Sequence, residues 1–162
     1  VLQGWVGTVQ VRVPDVGAVV HVAAGWCVAR GTLADLAPVP YAAVLWAVGR
    51  GLPDEVVARM SGSRAETIWS WDTGPQAELL VAAPSPARQW FVVTGTLGEI
   101  EVRASPWSRG AAEVLVSDGT STERLAVAAA DLPRFADEDD VAAVLAAARR
   151  SAEAGGAPQR PA

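Results

Sequence analysis

Lysine is absent from this chain of 162 residues, and His, Cys, Met and Tyr occur once each. Each shortage excludes some chemistry. Without lysine there is no Schiff base, no phosphate-loop lysine and no lysine general base. A Cys/His zinc site takes three or four such ligands, and only His21 and Cys27 are available. One cysteine permits no disulfide within the chain, so bridges say nothing about redox compartment. Long apolar runs are missing too. The longest, Val16 to Ala29, has 14 residues, is interrupted by His21 and two glycines, and is too short for a bilayer. No basic segment precedes a leader-like run near the first residues, so no secretory leader is expected. With 13 Arg against 18 Asp and Glu the net charge is −5, which lacks the basic footprint of nucleic-acid or anionic-membrane binding. The expectations are a cytoplasmic protein with no nucleic-acid and no membrane partner.

What is present is apolar. Hydrophobic residues make up 51% of the chain and charged ones 19%, enough for one domain with a real core. Residues 1–154 read as a single α+β domain. Residues 155–162 (GGAPQRPA) read as a disordered tail.

Periodicity assigns the elements. Thr8 to Val13 alternates apolar and polar residues and reads as a strand, ended by a turn at Pro14-Asp15-Val16-Gly17. Ala18 to Val22 is a second strand, which Trp26 to Val28 extends or follows. Tyr41, Val44, Leu45 and Val48 share one face of a helix that Pro40 opens and Gly49 and Gly51 end. Pro53-Asp54-Glu55 reads as the start of a short helix with an apolar face of Val56, Val57 and Met60. Six strands follow, over residues 67–72, 78–83, 89–94, 99–103, 113–117 and 123–127, in an antiparallel meander. Gly95 to Gly98 is a hairpin loop. A last helix carries Asp137 to Asp140 at its start, Val141, Val144, Leu145 and Ala148 along one face, and Arg149-Arg150 at its end. The fold class is α+β: a mainly antiparallel twisted sheet with two or three helices on one face. Ala18–Gly25 echoes Ala112–Gly119, Ala34–Leu36 echoes Ala130–Leu132, and Ala42–Leu45 echoes Ala142–Leu145, which suggests two quasi-repeated strand–strand–helix units.

No chemical motif stands out. His21 and Cys27 would lie about 20 Å apart on an extended strand, so a thiol–imidazole pair needs a chain reversal at 23–25. Glu99, Glu101 and Arg103 share one strand face and read as a solvated charge ladder rather than a carboxylate pair. Asp137 to Asp140 lacks the alternating ligands of a calcium loop. Gly95-x-x-Gly98 joins two strands and meets no helix N-terminus, so it is not a phosphate loop. No catalytic residue, cofactor or metal site is assigned. The one enriched residue is Trp, with seven copies. Most of these rings are expected to fill a core of small Ala and Val. Trp69, Trp71 and Trp107 are the candidates for an exposed binding patch, since Trp combines large contact area with an N–H donor.

Residues 36–53 (LAPVPYAAVLWAVGRGLP) carry L-x-P, an L-W pair within a helix, G-x-G and then L-P. This resembles the helix opening of EspG-type proteins. Val114 to Gly119, followed through to Leu145, resembles that family's strand–strand–helix ending. The resemblance implies two quasi-symmetric α+β halves and a non-catalytic cytosolic chaperone of type VII secretion that binds the tip of helical substrates. The expected function is a non-enzymatic binding or adaptor protein of chaperone type, with a protein partner. The alternative is an α+β barrel or cup, a carrier or hydrolase, curled around a Trp-lined pocket.

Overall fold

The computed structural model describes residues 2–108 and 110–162. It contains one eight-stranded sheet with helices on one face. The elements are α1 (Gly4–Arg12), a 3-10 turn (Val13–Val16), β1 (Val19–Cys27), a single-turn α2 (Leu33–Leu36), α3 (Pro38–Val48), β2 (Glu55–Ser61), β3 (Ser63–Ser70), β4 (Gln76–Ala83), β5 (Arg88–Gly95), β6 (Glu99–Ala104), β7 (Ala112–Ser117), β8 (Thr122–Val127) and α4 (Glu138–Glu153). The strand order is β2-β3-β4-β1-β5-β6-β7-β8. Only the β1–β4 pair is parallel. After β1 the chain passes through α2 and α3, restarts at the far edge and meanders back, so that β4 lands beside β1. The link from β4 to β5 then crosses the end of β1, held by Val28 N–H to Ala82 O and Ser85 N–H to Val28 O. The α+β class with a mainly antiparallel sheet is therefore as expected. The two echoed units are not equivalent in space: β1 is central, whereas β7 is next to the edge.

Two elements differ from the sequence reading. The expected strand at Thr8–Val13 is instead the end of α1 and the 3-10 turn. Helical spacing buries Trp5, Val6 and Val9 against the sheet and leaves Val11 73% exposed. Tertiary burial of one face overrides the β-propensity of the valines. The expected short helix after Pro53 is β2. Val56 and Ala58 face the core while Glu55 and Arg59 are exposed, a period of two that Val57 hides in the sequence. Asp54 does not cap a helix; its carboxylate accepts from Asp72 N–H.

The covered face holds the core. Val22 and Ala24 of β1, Leu79 and Val81 of β4, Phe91 and Val93 of β5, Ile100 and Val102 of β6, and Val114 and Val116 of β7 are all buried there. In α3, Pro38 and Pro40 occupy the first turn, where the missing N–H groups cost nothing, and Gly49 closes the helix at φ +64. Along α4, Val141, Val144, Ala147, Ala148 and Ser151 are buried. Its small residues allow close approach to β2. The β2 edge is covered. Ala58 N–H donates to Ser151 Oγ at 2.9 Å, and Val56 exchanges two backbone hydrogen bonds with Gln159 at 2.8 and 2.9 Å. Arg150 also donates to Arg160 O. Residues 155–162 thus run back along β2 rather than hanging free, which occupies polar groups that an edge strand would otherwise expose. No helix among the described residues is long and apolar enough to cross a membrane.

Candidate functional site

The three Trp residues expected at an exposed patch are in the core. Trp69 is 0%, Trp71 6% and Trp107 5% exposed. Trp69 meets Tyr41 of α3 edge-on at 5.0 Å. Trp71 donates to Gly51 O. Trp107 donates to Gly25 O at 2.7 Å and meets Trp5 and Phe91 edge-on. The correction has a simple cause. Ala and Val on the strands leave deep gaps beneath the helices, and large rings fill them to interior density. Of the Trp residues on strands, it is Trp90 that lies on the open face of the sheet. Its ring covers Gly25, where any Cβ would collide with it, and Arg88 stacks at 4.4 Å from its centroid.

The other candidates are placed as follows. His21 and Cys27 stand near the two ends of β1 and are not brought together. His21 Nε2 is 3.6 Å from Glu78 Oε2, and Cys27 is a buried free thiol. Glu101 and Arg103 form a two-pronged surface ion pair, and Thr94 donates to Glu99. The Gly95–Gly98 loop is a hairpin closed by Gly95 N–H to Gly98 O. Asp137 to Asp140 opens α4. Tyr41 is the one buried phenol, and burial pushes it up to about 12, with the Thr67 hydroxyl and Arg149 pulling weakly the other way. Neither the Tyr41 nor the Thr67 hydroxyl meets a partner at hydrogen-bonding geometry among the described residues.

Several concavities lie among the described residues, and two of them exceed 500 Å³. One is a groove of about 530 Å³ on the open sheet face, where Arg59, Glu66, Glu78 and Trp90 rise beside Ile68 and Leu80. Its floor is the sheet and its walls are side chains that stand up from the open face. The second, of about 570 Å³, lies between α3, residues 132–136 and α4. Pro38, Val39 and Ala42 form one wall, Leu132, Pro133, Phe135 and Ala136 the second, and Val141, Ala142 and Leu145 the third. Among the described residues, Arg134 and Glu138 are the ionisable side chains in its lining. Phe135 anchors the middle wall by packing against Trp46 at 5.5 Å and Trp5 at 6.0 Å. Arg134 reaches Asp137 only at 3.7 Å and is 68% exposed, so most of its donors are free of that carboxylate. A volume of this size, apolar walls and a few polar groups are the marks of a small-molecule site. The cleft went unread in the sequence because Leu132-Pro133-Arg134-Phe135 has no period. Two apolar residues around a Pro-Arg pair, just ahead of a helix N-terminus, were the available signal.

No family model matches the chain, and no curated protein matches it. Solved structures do match. The fold superposes on an aldose–aldose oxidoreductase from Caulobacter crescentus, complexed with glycerol, with TM-score 0.77 and 16% identity, covering 93% of this chain and 58% of that one. It superposes on a Klebsiella pneumoniae protein assigned as an oxidoreductase with TM-score 0.74 and 18% identity, covering 96% of this chain and 59% of that one. A 3-ketoreductase from Actinomadura kijaniata, in complex with TDP-benzene and NADP, matches with TM-score 0.66 and 16% identity over 93% of this chain and 50% of its own. The chain thus spans half to three fifths of the structures it matches, and at this identity the likeness is one of fold.

These neighbours run against the expectation of a non-enzymatic, chaperone-like adaptor, because each of the three structures is described as an oxidoreductase or reductase. The alternative of an α+β barrel or cup around a Trp-lined pocket falls because the sheet is open, with β2 and β8 at opposite edges, and because Trp69, Trp71 and Trp107 line neither of the two large concavities. A dinucleotide such as the one in the ketoreductase does not fit the residues present. Among the described residues no glycine-rich turn joins a strand to a helix. The helix N-terminus at the cleft bears Glu138, Asp139 and Asp140, which repel a pyrophosphate.

Proposed function

We propose that these residues form the substrate-side sheet domain of an oxidoreductase acting on a carbonyl or alcohol group, with the dinucleotide held by residues outside this sequence. The observation that carries the reading is the superposition itself: nearly all of this chain lies on half to three fifths of each of these structures. In this reading the protein partner expected from the sequence becomes the nucleotide-binding part. The α3–α4 cleft is the pocket that receives the body of the substrate. Its apolar side chains exclude water, which strengthens every polar contact made inside. Arg134 offers hydrogen bonds to a carbonyl oxygen, and Glu138 is the carboxylate within reach of the same space. The proposal includes a cytoplasmic location, where a reduced nicotinamide pool is present and Cys27 stays a free thiol.

The test is turnover. The product of the entire reading frame that encodes this chain is assayed with NADH and NADPH against a panel of ketones and aldoses. Carbonyl-dependent loss of nicotinamide absorbance, reduced by Arg134→Ala, is expected. No turnover with either nucleotide across the panel would count against the reading.

A further inference from the structure

The α3–α4 cleft offers very few polar partners for a ligand, and that shortage defines what it can hold. Its lining contains no Ser, Thr, Asn, Gln, His or Tyr side chain. Backbone groups of the two helical walls give little help, because Pro38, Val39, Ala42, Val141, Ala142 and Leu145 lie on helices whose amides and carbonyls are largely engaged in the helical ladder, and non-helical backbone comes from the residue 132–136 wall. A sugar presents a hydroxyl on nearly every carbon. Each hydroxyl moved from water into such a site without a partner is penalised by roughly 1–3 kcal/mol on protein-derived scales. A hydrocarbon ring has the opposite preference, since every apolar contact it makes with these walls removes surface from water. One oxygen can be accommodated, at Arg134.

The charge at the mouth narrows the class further. Arg134 stands beside Asp137 and Glu138, so the rim carries one positive and two negative side chains. An anionic ligand is disfavoured there, and a neutral carbonyl that accepts from the guanidinium is not. We infer that the cleft binds an uncharged, mainly hydrocarbon ring ketone or its alcohol, of about ten to twenty non-hydrogen atoms, and not a sugar. The choice of a carbonyl rests on the oxidoreductase reading; the apolar body rests on the cleft alone.

Camphor is the probe, a rigid neutral ketone, with glucose as its counterpart. Each is titrated into isotope-labelled protein while backbone and methyl resonances are followed. Camphor is expected to shift Val39, Ala42, Phe135, Val141 and Leu145 saturably, with a Kd on the order of 1 mM or tighter for a ligand of its size. Glucose is expected to leave them unmoved. Ala142→Leu adds volume at an exposed helix position that tolerates Leu, and should weaken camphor at least roughly tenfold by filling the cleft. Unchanged resonances on β5 to β8 confirm that this variant is folded. Glucose shifting the cleft residues as strongly as camphor, or camphor mapping to the open-face groove near Trp90 instead, overturns the inference. The two readings fail separately. Camphor bound in the cleft without any nicotinamide-dependent turnover removes the oxidoreductase proposal and leaves the ligand class standing. Turnover of aldoses without camphor binding does the reverse.

Discussion

Replacing Trp107 by Ala tests most severely whether the Trp excess is structural. The ring is 5% exposed, lies edge-on to Trp5 at 6.0 Å and to Phe91 at 5.7 Å, and donates to Gly25 O at 2.7 Å. Truncating a buried Trp to Ala costs about 3–5 kcal/mol through lost burial and the cavity left behind. The freed Gly25 carbonyl, if left dry, adds about 1 kcal/mol or more. A loss of about 4–6 kcal/mol is large beside the total of about 5–15 kcal/mol typical of a domain. For a chain of this size it corresponds to a fall in Tm of roughly 8–20 °C. Urea unfolding followed by far-UV circular dichroism reads it directly, with the m value unchanged if only stability has moved. Trp107→Phe keeps much of the packing but not the N–H donor, and should lose about 2–3 kcal/mol. An Ala variant within about 1 kcal/mol of the parent would mean that the ring is a surface group, and the account of the core would be mistaken.

Three further outcomes follow from named contacts. Ser151→Ala leaves the Ala58 N–H without its partner at the β2 edge and should cost about 1–3 kcal/mol in urea unfolding. Its amide should also lose hydrogen-exchange protection ahead of the central strands. Tyr41 is the single tyrosine, so phenolate absorbance reports on it alone. Its folded value of about 12 lies above the ordinary 10, so the stabilisation is complete below pH 10 and is lost as pH rises through about 12. That amounts to roughly 2–3 kcal/mol, and Tyr41→Phe should flatten stability over this window. Gly25→Ala places a methyl where the Trp90 ring lies, so the ring must lift from the open face. A red-shifted Trp emission that disappears in the Gly25→Ala, Trp90→Phe double variant is expected; an unshifted spectrum would show that the ring does not depend on Gly25.

How much of this was legible depended on how far each residue's environment follows from its neighbours in the chain. Strands β3 to β8 were found because alternation such as Ile100 and Val102 in, Glu101 and Arg103 out, is local information. Helix α4 was found because its acids, stripe and terminal glycines agree. The start of the chain was misread because Val9, Val11 and Val13 alternate as a strand does, while only tertiary contact with the sheet reveals that Trp5, Val6 and Val9 share a buried helical face. For β2 the signals competed: Pro53-Asp54-Glu55 opens many helices, yet pairing in a hairpin with β3, from Glu55 with Ser70 to Ser61 with Arg64, decided the outcome. The insertion of β1 between β4 and β5 is a long-range pairing that no window contains. The cleft joins α3 to residues 132–145, about a hundred positions away, and was invisible for the same reason. The Trp residues were legible as important, but their burial depends on what faces them.

The central proposal is that this sheet domain works with a dinucleotide bound elsewhere. NADPH titration, followed by energy transfer from Trp to the reduced nicotinamide, tests it most directly. The product of the entire reading frame should bind NADPH saturably, with its binding partner present if the nucleotide domain is a separate chain. The 162-residue chain alone should not. Saturable binding to the isolated chain, or no binding by the full product and its partner, would contradict the proposal.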